Sequence, residues 1–79
     1  MKKTIASICH GPQLLISAQI VKGKKISGYY SIKDDLMNAG GTYVDAPAVV
    51  DKNLVCCPHY KWMGQWMAKV FEVHNANTV

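Results

Sequence analysis

The stretch Ile5-Ala6-Ser7-Ile8-Cys9-His10-Gly11-Pro12 joins a short apolar run to a cysteine and then to the residues of a helix start. Thr4 to Ile8 carries β-branched side chains at Thr4, Ile5 and Ile8, a pattern that suits a buried parallel strand better than a half-exposed alternating one. Gly11 tolerates close backbone approach, and Pro12 is pre-organised for the first turn of a helix. The spacing therefore predicts a strand, a sharp turn carrying Cys9, and a helix that starts near Gly11.

That placement gives Cys9 a chemistry. A sulfur just before a helix lies near unpaired backbone N–H groups and the positive end of the helix dipole, both of which favour an anion. The N–H of His10 can point to where an oxyanion forms during attack on a carbonyl. This is the logic of a nucleophile elbow with Cys in place of Ser. Small residues at Ser7 and Gly11, two before and two after the cysteine, are what such a crowded turn needs. The alternative is a small buried hydrophobe with an incidental histidine beside it.

Working outward, Gly11 to about Gln19 reads as a helix with Leu14, Leu15 and Ala18 on one face, extendable through Ile20 and Val21 until Gly23. Lys24 to Gly28 leads into a short strand centred on Ile26. Ser31-Ile32-Lys33-Asp34 has capping-box spacing with Ser31 at the N-cap, opening a helix to about Ala39 that stops at Gly40-Gly41. Asp34 and Asp35 then complement the dipole and are not catalytic acids. Thr42 to Asp45 and Ala48 to Val50 read as short strands, and Asp51-Lys52-Asn53 turns the latter into Leu54 to Cys57 as a hairpin. From about Tyr60 to His74, Met63, Trp66, Met67, Val70 and Phe71 form one apolar stripe expected to face the core, followed by a frayed tail from Asn75 to Val79.

Ile8 to Ala18, Lys22-Gly23-Lys24-Lys25, Ser31-Ile32-Lys33-Asp34-Asp35-Leu36, Asn38-Ala39-Gly40 and Tyr43-Val44-Asp45 resemble the DJ-one/ThiJ/PfpI family. The resemblance runs from about Thr4 to Phe71 and covers only the C-terminal half of that family's domain. It implies an α/β fold, the C-terminal half of a flavodoxin-like three-layer sandwich with a largely parallel central sheet and a nucleophile elbow. On this reading residues 1–79 are one partial domain.

The resemblance also implies a function. Cys9 would be the nucleophile, with the His10 N–H and Gly11 shaping the oxyanion site and the His10 imidazole as acid or base. The substrate would be a reactive small carbonyl compound, as for glyoxalases and deglycases, or a peptide bond, as for the PfpI proteases, with no cofactor. Tyr29 and Tyr30 stand where relatives place His or Tyr near the nucleophile. They either wall a substrate pocket or cover a sheet edge. His59 follows a sheet strand and is either an alternative base or a surface-loop residue.

The chain also departs from the family pattern. Relatives supply a Glu from the N-terminal half to the cysteine; the one Glu here, Glu72, lies in the last helix. Relatives often carry Ser and Arg where this chain has Cys56-Cys57-Pro58-His59, and there is no Arg at all. Neighbours of the elbow strand are missing, which leaves an edge open to pairing. A complementary N-terminal half or a homo-oligomer is the expected partner, with little or no activity for the chain alone. The competing class is a non-catalytic redox sensor or self-association module built on Cys9. A glutaminase of the amidotransferase type would need a His-x-Glu pair near the C-terminus, which is not present.

Composition narrows the remaining classes. With 79 residues, 49% hydrophobic and 18% charged, the chain is a globular domain of marginal size. The net charge of +4 comes wholly from scattered lysines, with one cluster at Lys22, Lys24 and Lys25, and gives no basic stripe for nucleic acid. Three cysteines and no secretory or membrane segment after Met1-Lys2-Lys3 point to the cytoplasm. Adjacent Cys56 and Cys57 lack metal-ligand spacing, so no metal is expected.

Overall fold

A computed structural model describes residues 3–77. The elements run β1 (Ile5–Ile8), α1 (Pro12–Ser17), β2 (Lys25–Ile26), a 3-10 turn (Tyr30–Ile32), α2 (Lys33–Asn38), β3 (Thr42–Tyr43), β4 (Val49–Asp51), β5 (Leu54–Cys57), a second 3-10 turn (Tyr60–Trp62) and α3 (Met63–Asn77). β1 pairs with β5 in parallel, Ile8 opposite Cys57, and β5 pairs antiparallel with β4 as the expected hairpin. β2 and β3 form a separate parallel pair. The Lys25 N–H donates to the Asp51 carboxylate at 2.7 Å and ties that pair to β4. The result is the α/β fold expected, with parallel pairing predominating. No helix among the described residues is long and apolar enough to cross a membrane.

Leu15, Val21, Ile26, Ile32, Leu36, Val49, Leu54 and Cys56 form the core. Full burial of such a side chain contributes about 1.5–3 kcal/mol, so this small cluster carries most of what holds the chain together. β5 lies between β1 and β4, and all four of its residues are buried. β1 lies at the sheet edge, where Ala6 is exposed and Ile5 and Ile8 are only half-buried. The parallel pairing is the one expected, and the strand is only partly covered because, among the described residues, one of its edges has a neighbour and the other is open.

Several boundaries move for identifiable causes. α1 ends at Ser17, so Ile20 and Val21 do not extend it; Gln19 adopts φ 61, and the N–H groups of Gln19 and Ile20 close onto the carbonyls of Ile16 and Leu15. That is a Schellman cap with Gln where Gly is usual. Leu15 faces the core, whereas Leu14 is 76% exposed and Ala18 is exposed, so the expected three-residue face reduces to one residue. α2 ends with the same motif at Gly40 (φ 94) and Gly41, as expected. A Cβ on Gly41 would lie 2.6 Å from a Val21 methyl and 2.9 Å from one of Ile26, so close packing also holds this position to Gly.

Three expectations fail in the second half. Ser31 is not an N-cap; it sits inside the 3-10 turn, and no side chain caps α2. The α3 stripe does not face the core as a unit. Trp66 and Val70 are half-buried, with the Trp66 indole donating to the Val55 carbonyl at 3.2 Å, while Met63, Met67 and Phe71 are exposed, Phe71 at 59%. α3 rests on β5 along one side, and nothing described covers the rest of its apolar surface. Asn75 to Asn77 continue the helix where a frayed tail was expected, and the last two positions of that expected tail, Thr78 and Val79, lie outside the described residues.

Candidate active site

Cys9 follows the last residue of β1 and has φ 59, a left-handed backbone that costs a non-glycine residue of order 1–3 kcal/mol. The turn around it is closed at both ends. The Gly11 N–H donates to the Ile8 carbonyl at 2.9 Å, the Cys9 N–H to the Cys57 carbonyl at 2.9 Å, and the Tyr29 N–H to the Cys9 carbonyl at 2.7 Å. The turn's own bond and two neighbouring segments thus hold the strained residue in place. A Cβ on Gly11 would meet the Ile8 carbonyl oxygen and the Ser7 hydroxyl, both at 3.1 Å, which is why small residues flank the cysteine.

The Cys9 thiol is half-buried, with Sγ 3.5 Å from Nδ1 of His10. On the far side of the ring, Nε2 lies 3.2 Å from the Ser31 hydroxyl. With Nε2–H donating to Ser31, Nδ1 is left as the acceptor facing sulfur; when the ring is charged, both nitrogens donate without moving. The line Cys9–His10–Ser31 is therefore an arrangement able to shuttle one proton to and from sulfur. The Gly11 N–H is used by the Ile8 carbonyl. The His10 N–H has no acceptor among the described residues.

Aromatic rings continue from this line. The Tyr29 ring lies 5.1 Å from that of His10, 4.6 Å from Tyr30 and 5.7 Å from His59, and His59 stacks on Tyr60 at 4.2 Å. A hydrogen bond with Tyr30, then its charge, and lesser contributions from burial, Cys9 and Tyr60, hold the Tyr29 phenol above its ordinary value and keep it a donor. Tyr29, Tyr30 and His59, with Tyr43, Asp45 and Lys61, line an open pocket of about 460 Å³. The Tyr43 hydroxyl donates to the Gly28 carbonyl at 2.9 Å and anchors the segment that carries Tyr29.

His59 accepts a bond from the Lys61 N–H through Nδ1 at 3.1 Å, so it caps the second 3-10 turn and also walls the pocket. Its ring meets the site through Tyr29. Glu72 pairs with Lys69 at 3.4 Å on the exposed side of α3. The sequence reading missed Ser31, whose capping-box spacing concealed its bond to His10. The available signal was its place directly after the tyrosine pair.

Cys57 and Cys56 lie behind the elbow, both buried. Burial pushes the Cys56 thiol up to about 11, opposed by a hydrogen bond from the Ser27 backbone and reinforced by Cys57. Burial also raises Cys57, opposed by the His59 backbone and reinforced by the charge of Cys9.

Comparison with known proteins places this geometry in a family. A family model described as DJ-1/PfpI family matches residues 1–73. The chain is 46% identical over 69 residues to Deglycase PfpI of Pyrococcus furiosus, covering 82% of this chain and 42% of that protein. It is 56% identical over 54 residues to YraA of Bacillus subtilis, whose name includes the words cysteine protease, covering 68% of this chain and 32% of that protein. A crystal structure of a two-domain protein with DJ-1/ThiJ/PfpI-like and ferritin-like domains from Anabaena variabilis superposes with a TM-score of 0.87 at 36% identity, over 89% of this chain and 20% of the other. The chain thus spans less than half the length of the curated relatives it matches. By this match of sequence and fold, the chain belongs to the DJ-1/PfpI family.

Proposed function

We propose that Cys9 is the nucleophile of a deglycase-type reaction on small reactive carbonyl compounds and on their adducts. The observation that carries this is the strained Cys9 turn with His10 Nδ1 at 3.5 Å and Ser31 fixing the other ring nitrogen. Nδ1 takes the thiol proton as sulfur adds to the carbonyl carbon. The oxyanion that forms is met by the His10 N–H, and the imidazolium returns its proton to it. Tyr29 and His59 wall the space for the rest of the substrate. No step in this sequence calls for a metal or an organic cofactor. Peptide-bond cleavage is a second reading, favoured by the likeness to YraA.

The site as described is open on one side. Among the described residues, β1 has a free edge and nothing covers Met63, Met67 and Phe71 of α3. We assign both surfaces to a complementary N-terminal half or a second copy, which also supplies the acidic partner this chain lacks near Cys9. The test is methylglyoxal consumption, together with peptide hydrolysis, across a range of protein concentrations, for the chain and for Cys9→Ala. Turnover that rises faster than linearly with concentration and disappears in Cys9→Ala supports the reading. Turnover retained by Cys9→Ala overturns it.

A further inference from the structure

Cys57 has no part in the chemistry above, yet its carbonyl accepts the bond that holds the Cys9 N–H just past the end of the β1–β5 ladder. The 2.9 Å bond from the Cys9 N–H to the Cys57 carbonyl joins them, and Ile8 and Cys57 are in register. One such bond, between chains about 4.8 Å apart, places the two Cα atoms roughly 5–6 Å apart. That separation lies inside the range of about 4.4–6.8 Å that a disulfide spans. The Cys57 Sγ donates to the His59 carbonyl at 3.1 Å, which holds it at the carboxyl end of β5, beside the elbow. Cys56 lies one residue back, opposite Ser7, and in a strand its side chain leaves by the other face.

We propose that Cys57 is the resolving thiol for Cys9, so that a hydroperoxide converts the pair to an intrachain Cys9–Cys57 disulfide. The inference rests on the reading of Cys9 as a reactive thiol. In the first step the Cys9 sulfur attacks one peroxide oxygen; an S–O bond forms, the O–O bond breaks, and the alcohol or water leaves with the thiol proton. In the second the Cys57 sulfur attacks the Cys9 sulfur; an S–S bond forms, the S–O bond breaks, and water leaves with the Cys57 proton. Two thiols lose two electrons, and the peroxide gains them. Cys57 is buried and out of reach of peroxide, whereas Cys9 is half-buried, so oxidation begins at Cys9.

The consequence is protection. A sulfenic acid left alone proceeds to sulfinic acid, which thiols do not reduce, whereas a disulfide is reversible. The test treats the full chain with hydrogen peroxide without reductant, then maps peptides by mass spectrometry. Loss of two hydrogens in a linked Cys9–Cys57 peptide, reversed by dithiothreitol and unchanged in Cys56→Ala, supports the proposal. In Cys57→Ser, sulfinic acid at Cys9 should accumulate at least about tenfold faster. Sulfinic acid at Cys9 with Cys57 still a free thiol in the wild-type chain overturns this inference alone. A Cys9 that stays unmodified overturns it together with the reading of Cys9 as reactive. Because the wild-type mapping decides the matter, a Cys57→Ser chain that fails to fold does not affect the outcome.

Discussion

At the residue scale the site depends on one backbone torsion and two side-chain contacts. Cys9 stands where glycine would be unstrained, and a strained residue held by three hydrogen bonds is how a fold presents a side chain that its local preference would turn away. Ser31 is the positioning residue: its hydroxyl is the partner of His10 Nε2 at 3.2 Å. One hydrogen bond contributes about 0.5–1.5 kcal/mol net, so Ser31→Ala should lower kcat for the carbonyl reaction about two- to tenfold with KM little changed, and Ser31→Thr should restore it. A shift in the pH profile of kcat should accompany the loss, since in the proposed reaction the histidine it contacts carries the proton. Equal activity and an unmoved profile in Ser31→Ala would show the contact to be incidental.

At the element scale the helix ends carry the information. α2 closes on Gly40 and Gly41, whereas α1 closes by the same pattern on Gln19 at φ 61. A left-handed residue with a Cβ costs about 1–2 kcal/mol, so Gln19→Gly should raise unfolding stability by about 1 kcal/mol in urea titration, and no change would mean the cap is relaxed in solution. Gly41→Ala should act oppositely, at a cost of about 1–3 kcal/mol, because the added methyl meets Val21 and Ile26. These ends matter for function because α1 begins immediately after the elbow.

At the scale of the whole molecule, β5 links the site to stability. Its Cys56 ionises near 9.0 in an unfolded chain and is pushed up to about 11 in the fold by burial. The native state thus holds its proton longer than the unfolded state does. The resulting stability is complete below about pH 9 and is lost as pH rises towards 11, a difference of about 2–3 kcal/mol. Unfolding free energy measured from pH 8 to pH 11 should fall in the parent chain and fall less steeply in Cys56→Ala, whatever that substitution costs at pH 8. Equal slopes would mean that solvent reaches the thiol.

The run from Thr4 to Pro12 by itself determined the strand, the turn at Cys9 and the helix after it, because apolar patterning, Gly and Pro are local signals. The hairpin into Leu54–Cys57 and the glycine stop after Ala39 were legible for the same reason. Only the tertiary structure decided three things. Ser31 was drawn to His10, 21 residues away, instead of capping its own helix, because a contact of that separation leaves no trace in local spacing. The stripe on α3 is left half-uncovered, because periodicity states that a face is apolar but not what lies against it. And Cys57 was set beside Cys9, because strand register is chosen by pairing across the sheet.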